Sequence, residues 1–414
     1  MKIVHFSWEY PPIIYGGLGT FATEMSQKQA YFGNDVTVFT INNNNKLKTY
    51  EKMNGVDVYR PKTLDLTSTY LLFADYELRS WGDNFKFFAD VINYNTMSAS
   101  QLVNLLIRKD QKKYDVIDAH DWLGIIGGMI VKKETKAPLV FHVHSTEVGR
   151  STGRGSHAIK DIEFEGGQQA DCVITVSYAM RDELEKLGFP FDKIRVCWNG
   201  VDPSKYDPNK ITAEEKKQLR QRYGITDNEN MLFFVGRLVT VKGVDHLVNA
   251  MPSVIEEFPN TKLVILGIGD MESSLKSQVE NLGIQDKVIF RNEFVDEKER
   301  ILHYAASDVV VLPSLYEPFG IVCTEAMSMA KPVVIGAKGT NGMREQVIPT
   351  GDKQCGIHVN GLDSGDIAWG IKQVLQQDDK GVYMGKNARQ RVLETFSWES
   401  VAKRTLDIYK EFAQ

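Results

Sequence analysis

Two glutamates eight positions apart, Glu317 and Glu325, stand in SLYEPFGIVCTEAM, where an apolar run passes into a helical pattern. Pro318 suits the first turn of a helix, and Gly320 lets the backbone approach a ligand closely. N–H groups at Phe319, Gly320 and Ile321 would lack intrahelical partners and could hold phosphate or sugar oxygens. A carboxylate beside phosphate is repelled, so the two acids are read as acceptors for hydroxyl groups. A molecule with phosphate between two hydroxyl-rich groups meets that description. It is a nucleoside diphosphate sugar, with Glu317 on the sugar and Glu325 on the ribose. The plainer reading is that acids near a helix N-terminus are favoured by its macrodipole.

The stretch VGRLVTVKGVDHL adds two cations. Arg237 ends a buried strand, and Lys242 precedes the glycine that opens a helix. Together they could neutralise a diphosphate and stabilise it as a leaving group. In SWEYPPIIYGGLGTF, Gly16 and Gly17 make a turn that brings backbone close to a ligand. Ala22 occupies the third glycine position of a dinucleotide fingerprint, so that motif is excluded. VFHVHSTE puts His142 and His144 on one strand face, with no third ligand at zinc spacing. His144, nearer the strand end, is the candidate reactive residue. AHDW places His120, Asp121 and Trp122 at another strand end, with Asp121 a substrate contact and Trp122 a ring to stack on a sugar. GRSTGRGSH reads as a mobile loop.

These residues need strands to hold them. Continuous apolar runs alternate with helical patterns along the whole chain, the mark of parallel sheets covered on both faces. The fold class is α/β, with two doubly wound, Rossmann-like domains facing across a cleft lined by strand carboxyl ends. Residues 1–201 form the first domain and residues 202–396 the second. The helix at 397–414 returns to one of them. A length of 414 residues fits two cores. A net charge of −5 argues against nucleic acid as a partner. Four scattered cysteines read as reduced thiols, and no apolar run reaches membrane-spanning length. MKIVHFSWEY begins as a strand and not as a signal peptide, so a cytoplasmic location is expected.

Taken together, the motifs resemble those of the retaining glycosyltransferases with the two-domain GT-B fold, in the group spanning glycogen and starch synthases. The resemblance covers nearly the whole chain, and EPFGIVCTEAM matches that group's E-x7-E donor signature. It implies that Arg237 and Lys242 bind the donor diphosphate and Glu325 the ribose. It further implies that Glu317 and the Phe319, Gly320, Ile321 and Val322 backbone hold the sugar, with His144 beside the reacting centre. The first domain would then serve the acceptor and the second the nucleotide sugar. No metal and no other cofactor would be needed. The implied reaction moves glucose from ADP- or UDP-glucose to the non-reducing end of an α-1,4-glucan, with retention. Tyr15 stands where bacterial glycogen synthases and plant starch synthases carry lysine before the glycine pair. Alternatives are transfer to a small acceptor (a sugar, sugar phosphate or glycerate), nucleotide-sugar epimerisation, and a silent nucleotide-sugar or glycan sensor.

Overall fold

A computed structural model describes residues 1–379 and 381–413. The chain divides into two compact units, Met1–Asn199 joined by the segment from Trp398 onward, and Gly200–Ser397.

The first unit carries β1 (Lys2–Phe6), β2 (Asp35–Phe39), β3 (Tyr50–Met53), β4 (Val56–Tyr59), β5 (Val116–His120), β6 (Leu139–Val143), β7 (Cys172–Thr175) and β8 (Ile194–Val196). They form one sheet in the order β3-β4-β2-β1-β5-β6-β7-β8. Every pairing is parallel except β3 with β4. β5 and β6 are buried at every position, as strands covered on both faces must be. The β3–β4 hairpin was not among the strands expected. β3 has no buried position, so it lacks an apolar run. Its signal is instead the turn Asn54–Gly55, with φ of 47° and 87°, the residue pair that two-residue hairpins favour.

The helix Trp398–Lys410 belongs to this unit. Trp398, Val401, Leu406 and Tyr409 pack with Ile3, Val116, Val140 and Ile174 of the sheet, and with Phe21 and Met25 of the helix Gly17–Tyr31. Of the stretch 397–414, Gln414 lies outside the described residues.

The second unit carries β9 (Asn230–Val235), β10 (Thr261–Leu266), β11 (Val288–Arg291), β12 (Val309–Leu312), β13 (Val333–Gly336) and β14 (Gly356–Val359). All are parallel, in the order β11-β10-β9-β12-β13-β14. In each sheet the winding reverses once, between β1 and β5 and between β9 and β12. Open α/β sheets bind ligands beyond the strand carboxyl ends at such reversals. Among the described residues no helix is long and apolar enough to cross a membrane, and all four cysteines are buried free thiols.

Candidate active site

In the second unit β9 and β12 are hydrogen-bonded neighbours. β9 runs into Arg237 and the single turn Thr240–Lys242, and β12 runs into the Pro313–Phe319 loop. The two loops are tied by backbone. Leu315 and Tyr316 N–H both donate to the Val241 carbonyl, at 2.8 and 3.3 Å. Gly243 makes this approach possible: its φ is +65°, and a Cβ there would sit 2.6 Å from the Pro313 carbonyl oxygen.

The consequence is a direct contact between Lys242 Nζ and Glu317 Oε2, with side chains 18% and 13% exposed. Glu317 is braced from behind. Its N–H donates to the Thr340 carbonyl at 3.0 Å, and its own carbonyl accepts from Gly342 N–H at 2.8 Å. Lys242 and Glu317, expected on phosphate and on sugar, therefore hold one another. An ammonium has three N–H donors, so Lys242 can keep Glu317 and still face an anion. Arg237 is exposed, and its guanidinium has no protein partner among the described residues.

Gly320, at φ +90°, precedes the helix Ile321–Ser328, whose start has no side-chain cap. Cys323 N–H donates to the Gly320 carbonyl at 3.0 Å, and the N–H groups of Ile321 and Val322 before it remain open to a ligand. The Phe319 ring is buried, and its carbonyl accepts from Gln346 Nε2 at 2.6 Å.

Glu325 differs from the expected ribose acceptor. It is 6% exposed and its carboxylate is fully engaged. Oε1 accepts from Tyr206 O–H at 2.7 Å and from Arg300 at 3.1 Å. Oε2 accepts from Arg300 Nε at 3.2 Å and from Tyr304 O–H at 2.8 Å. Those four bonds fill the acceptor capacity of a carboxylate. A ribose hydroxyl would have to displace one of the donors. The Glu325 charge in turn raises the pKa of Arg300 against the opposing effect of burial.

In the first unit His144 follows β6 and is partly exposed. Asp121, at φ +51°, accepts from the backbone N–H of His144 at 2.7 Å and of Ser145 at 3.4 Å. Burial raises the pKa of this carboxyl. Asp121, expected to meet substrate, here fixes the chain where it leaves β6. Trp122, expected to stack on a sugar, is a core residue, packed with Trp8, Val91 and Tyr94. The loop at 149–157 is hydrogen-bonded at its ends. Glu147 Oε1 accepts from Ser156 N–H at 3.0 Å, and the buried Glu163 carboxylate accepts from Glu147 N–H at 2.9 Å.

The glycine turn also has an internal occupant. Glu9 Oε2 accepts from the N–H groups of Tyr15, Gly16 and Gly19 at 2.9, 3.0 and 3.2 Å. Of the backbone donors expected to face a ligand around Gly16 and Gly17, that of Gly16 is turned onto Glu9.

Three histidines come together where the sequence offered two. His120, His142 and His144 place ring nitrogens within 4.8 Å of one another, because β5 and β6 pair His120 with His142. His5, Asp118 and His120 form a second such group. The His142 and His144 rings, however, lie within 2° of parallel with centres 4.6 Å apart. Imidazole lone pairs lie in the ring plane, so those of the two stacked rings do not converge on one ion.

Two family models match the chain: Glycosyl transferases group 1 over residues 215–391, and Glycosyltransferase Family 4 over residues 15–205. An uncharacterized glycosyltransferase of Methanocaldococcus jannaschii is 35% identical over 99% of this chain and 98% of its own. Glycogen synthase of Mycobacterium tuberculosis is 29% identical, covering 99% and 94%. Alpha-maltose-1-phosphate synthase of Mycolicibacterium smegmatis is 27% identical, covering 99% of both chains. Among solved structures, sucrose-phosphate synthase from Thermosynechococcus elongatus aligns with a TM-score of 0.78 at 22% identity, over 99% and 98% of the two chains. The catalytic domain of Starch Synthase IV from Arabidopsis thaliana, bound to ADP and acarbose, aligns at 0.75 and 17% identity, over 99% of both. The chain belongs to the group 1 glycosyltransferases of the GT-B fold, and it is a glycosyltransferase enzyme.

Proposed function

We propose that this enzyme moves glucose from a nucleoside diphosphate glucose to the non-reducing end of an α-1,4-glucan, with retention of configuration. The observation that carries the reading is the Lys242–Glu317 pair where β9 and β12 end, with Arg237, unpartnered among the described residues, following β9 and a helix without a side-chain cap following Gly320. In this reading Arg237 and Lys242 bind the diphosphate, and the amides around Ile321 and Val322 add further donors. Glu317 accepts from sugar hydroxyls, and His144 assists at the transferred sugar. The anomeric carbon–phosphate oxygen bond breaks as the acceptor hydroxyl oxygen bonds to the same face of that carbon. The hydroxyl proton passes to the departing phosphate. The cations and the helix end stabilise the leaving group electrostatically, so no metal is required.

A small acceptor is the second reading. It is favoured by the likeness to alpha-maltose-1-phosphate synthase over 99% of both chains and by Tyr15 in the glycine loop. A panel of ADP- and UDP-glucose against glycogen, maltooligosaccharides, glucose 1-phosphate and glycerate, read as nucleoside diphosphate release, separates the two. Release stimulated by glucans supports the first reading. Release stimulated only by a small acceptor replaces it with the second. Release stimulated by none of them rejects both.

A further inference from the structure

β1, β5 and β6 line up four histidines and an aspartate on one sheet face. Register sets His5 opposite Asp118 and His120 opposite His142, and alternation puts His144 on the same face as His142. Phe21 packs over them, its ring centre 4.6 Å from both His142 and His144. His5 is 1% exposed, and Asp118, His120 and His142 are fully buried.

Three of the rings are joined end to end. His5 Nε2 lies 2.7 Å from Gln29 Oε1, His5 Nδ1 lies 3.1 Å from His120 Nε2, and His120 Nδ1 lies 3.1 Å from His144 Nε2. Ring centres are 5.4 Å apart in both imidazole pairs, with planes 17° and 23° from parallel. Nitrogens this close at that centre separation meet edge to edge, as N–H···N bonds require. Asp118 Oδ2 sits beside the chain. It accepts from Tyr409 O–H and lies 3.3 Å from His5 Nδ1 and 3.5 Å from both His120 Nε2 and His142 Nδ1.

We infer that Asp118, His5 and His120 form a positioning relay that fixes the ring and the tautomer of His144, leaving His144 Nδ1 as its working nitrogen. This rests on the reading of His144 as a residue of the transfer reaction. Each bond in the chain needs one protonated and one bare nitrogen. A neutral imidazole carries a single N–H, so fixing one ring fixes the next. Burial holds His120 at a pKa of about 3, and burial with the neighbouring His142 and His120 holds His144 well below the ordinary range. Both rings are therefore neutral near pH 7. Asp121 holds the backbone of His144 and His120 holds its ring. Two consecutive residues of AHDW thus serve one side chain. None of the relay residues need touch substrate.

The test begins with the unmodified protein, labelled with ¹⁵N in its histidine rings. The relay requires scalar coupling between His120 Nδ1 and His144 Nε2, with only Nδ1 of His144 shifting when UDP- or ADP-glucose is added. Loss of that coupling in favour of stoichiometric zinc, detected by elemental analysis, would overturn it. Kinetics then use His120→Phe, which keeps a flat buried ring without nitrogens, and His120→Asn, whose amide can replace Nδ1 alone. His120→Phe should lower transfer to maltooligosaccharide by about tenfold or more with unchanged affinity for the nucleoside diphosphate, and His120→Asn should recover part of it. A folded His120→Phe protein with the parental rate would refute the relay. The parental rate in His144→Ala would instead refute the role given to His144.

Discussion

Lys242 and Glu317 are bound to each other across 75 residues of sequence, ammonium to carboxylate, with both side chains largely withdrawn from water. A pair of this kind behaves as one unit. Lys242→Ala strands a mostly buried carboxylate, and Glu317→Ala strands a mostly buried ammonium. Each single change should lower the Tm of the second unit and cut kcat/KM at least about tenfold, since charge-assisted contacts contribute about 1.5–3 kcal/mol. The double variant should regain part of the stability and lose little further activity. Additive losses in a double-mutant cycle would mean that the two act separately.

Glu325 makes a contrasting case. With Arg300, Tyr206 and Tyr304 on its two oxygens, it holds the helix Ile321–Ser328 to the helix Glu297–Ala306. Glu325→Ala leaves a partly exposed guanidinium without its counter-charge and two buried phenols without their shorter hydrogen bond. The expected loss is about 1–3 kcal/mol of stability, together with weaker nucleotide binding. Denaturant unfolding of the variant checks this. An unchanged midpoint with weakened nucleotide binding would return Glu325 to a purely ligand-binding role.

Glu9 acts as an internal anion for the glycine turn. Glu9→Ala removes the acceptor from three N–H groups and should cost about 1–3 kcal/mol in the first unit, whereas Glu9→Gln should retain most of the geometry. Hydrogen exchange at the Gly16 and Gly19 amides reads this directly. Protection equal to that of the parent in Glu9→Ala would show that the carboxylate is dispensable.

Acid should loosen the first unit. His120, near 3 when folded and 6.5 when free, binds a proton only on unfolding between those values, and the lowered pKa of His144 acts in the same sense. Glu163, pushed up to about 8 by burial from 4.5, works in the opposite sense between 4.5 and 8. The lowered pKa of the two histidines outweighs the raised pKa of Glu163 on acidification, so stability falls as pH drops below 6.5. Below 4.5 the glutamate no longer offsets them, and the fall steepens. Hydrogen exchange in β5 and β6 across pH 4–7, corrected for intrinsic rates, measures it. A flat or rising profile on acidification contradicts the buried neutral imidazoles.

Most strands could be read because each is a continuous apolar run: MLFFV of β9, LVIL of β10 and VVVL of β12 are buried at every position. β3 escaped because charged Glu51 and Lys52 interrupt it and none of its side chains is fully buried, although Asn54–Gly55 marked its turn. Pairings were harder to see than positions. Nothing local to Lys242 indicates that β9 lies beside β12 and brings Glu317 to it. The imidazole chain likewise depends on three strands sharing one register. Trp122 was misjudged because a strand-end aromatic can turn outward or inward, and the cluster around Trp8 and Tyr94 takes it in.

The most direct test of retaining transfer to an α-glucan is NMR of the product formed from an α-linked nucleoside diphosphate glucose and maltotriose. The account predicts one new α-1,4-linked glucose at the non-reducing end for each nucleoside diphosphate released. A β-linked product, or donor binding without acceptor-dependent release, would contradict it.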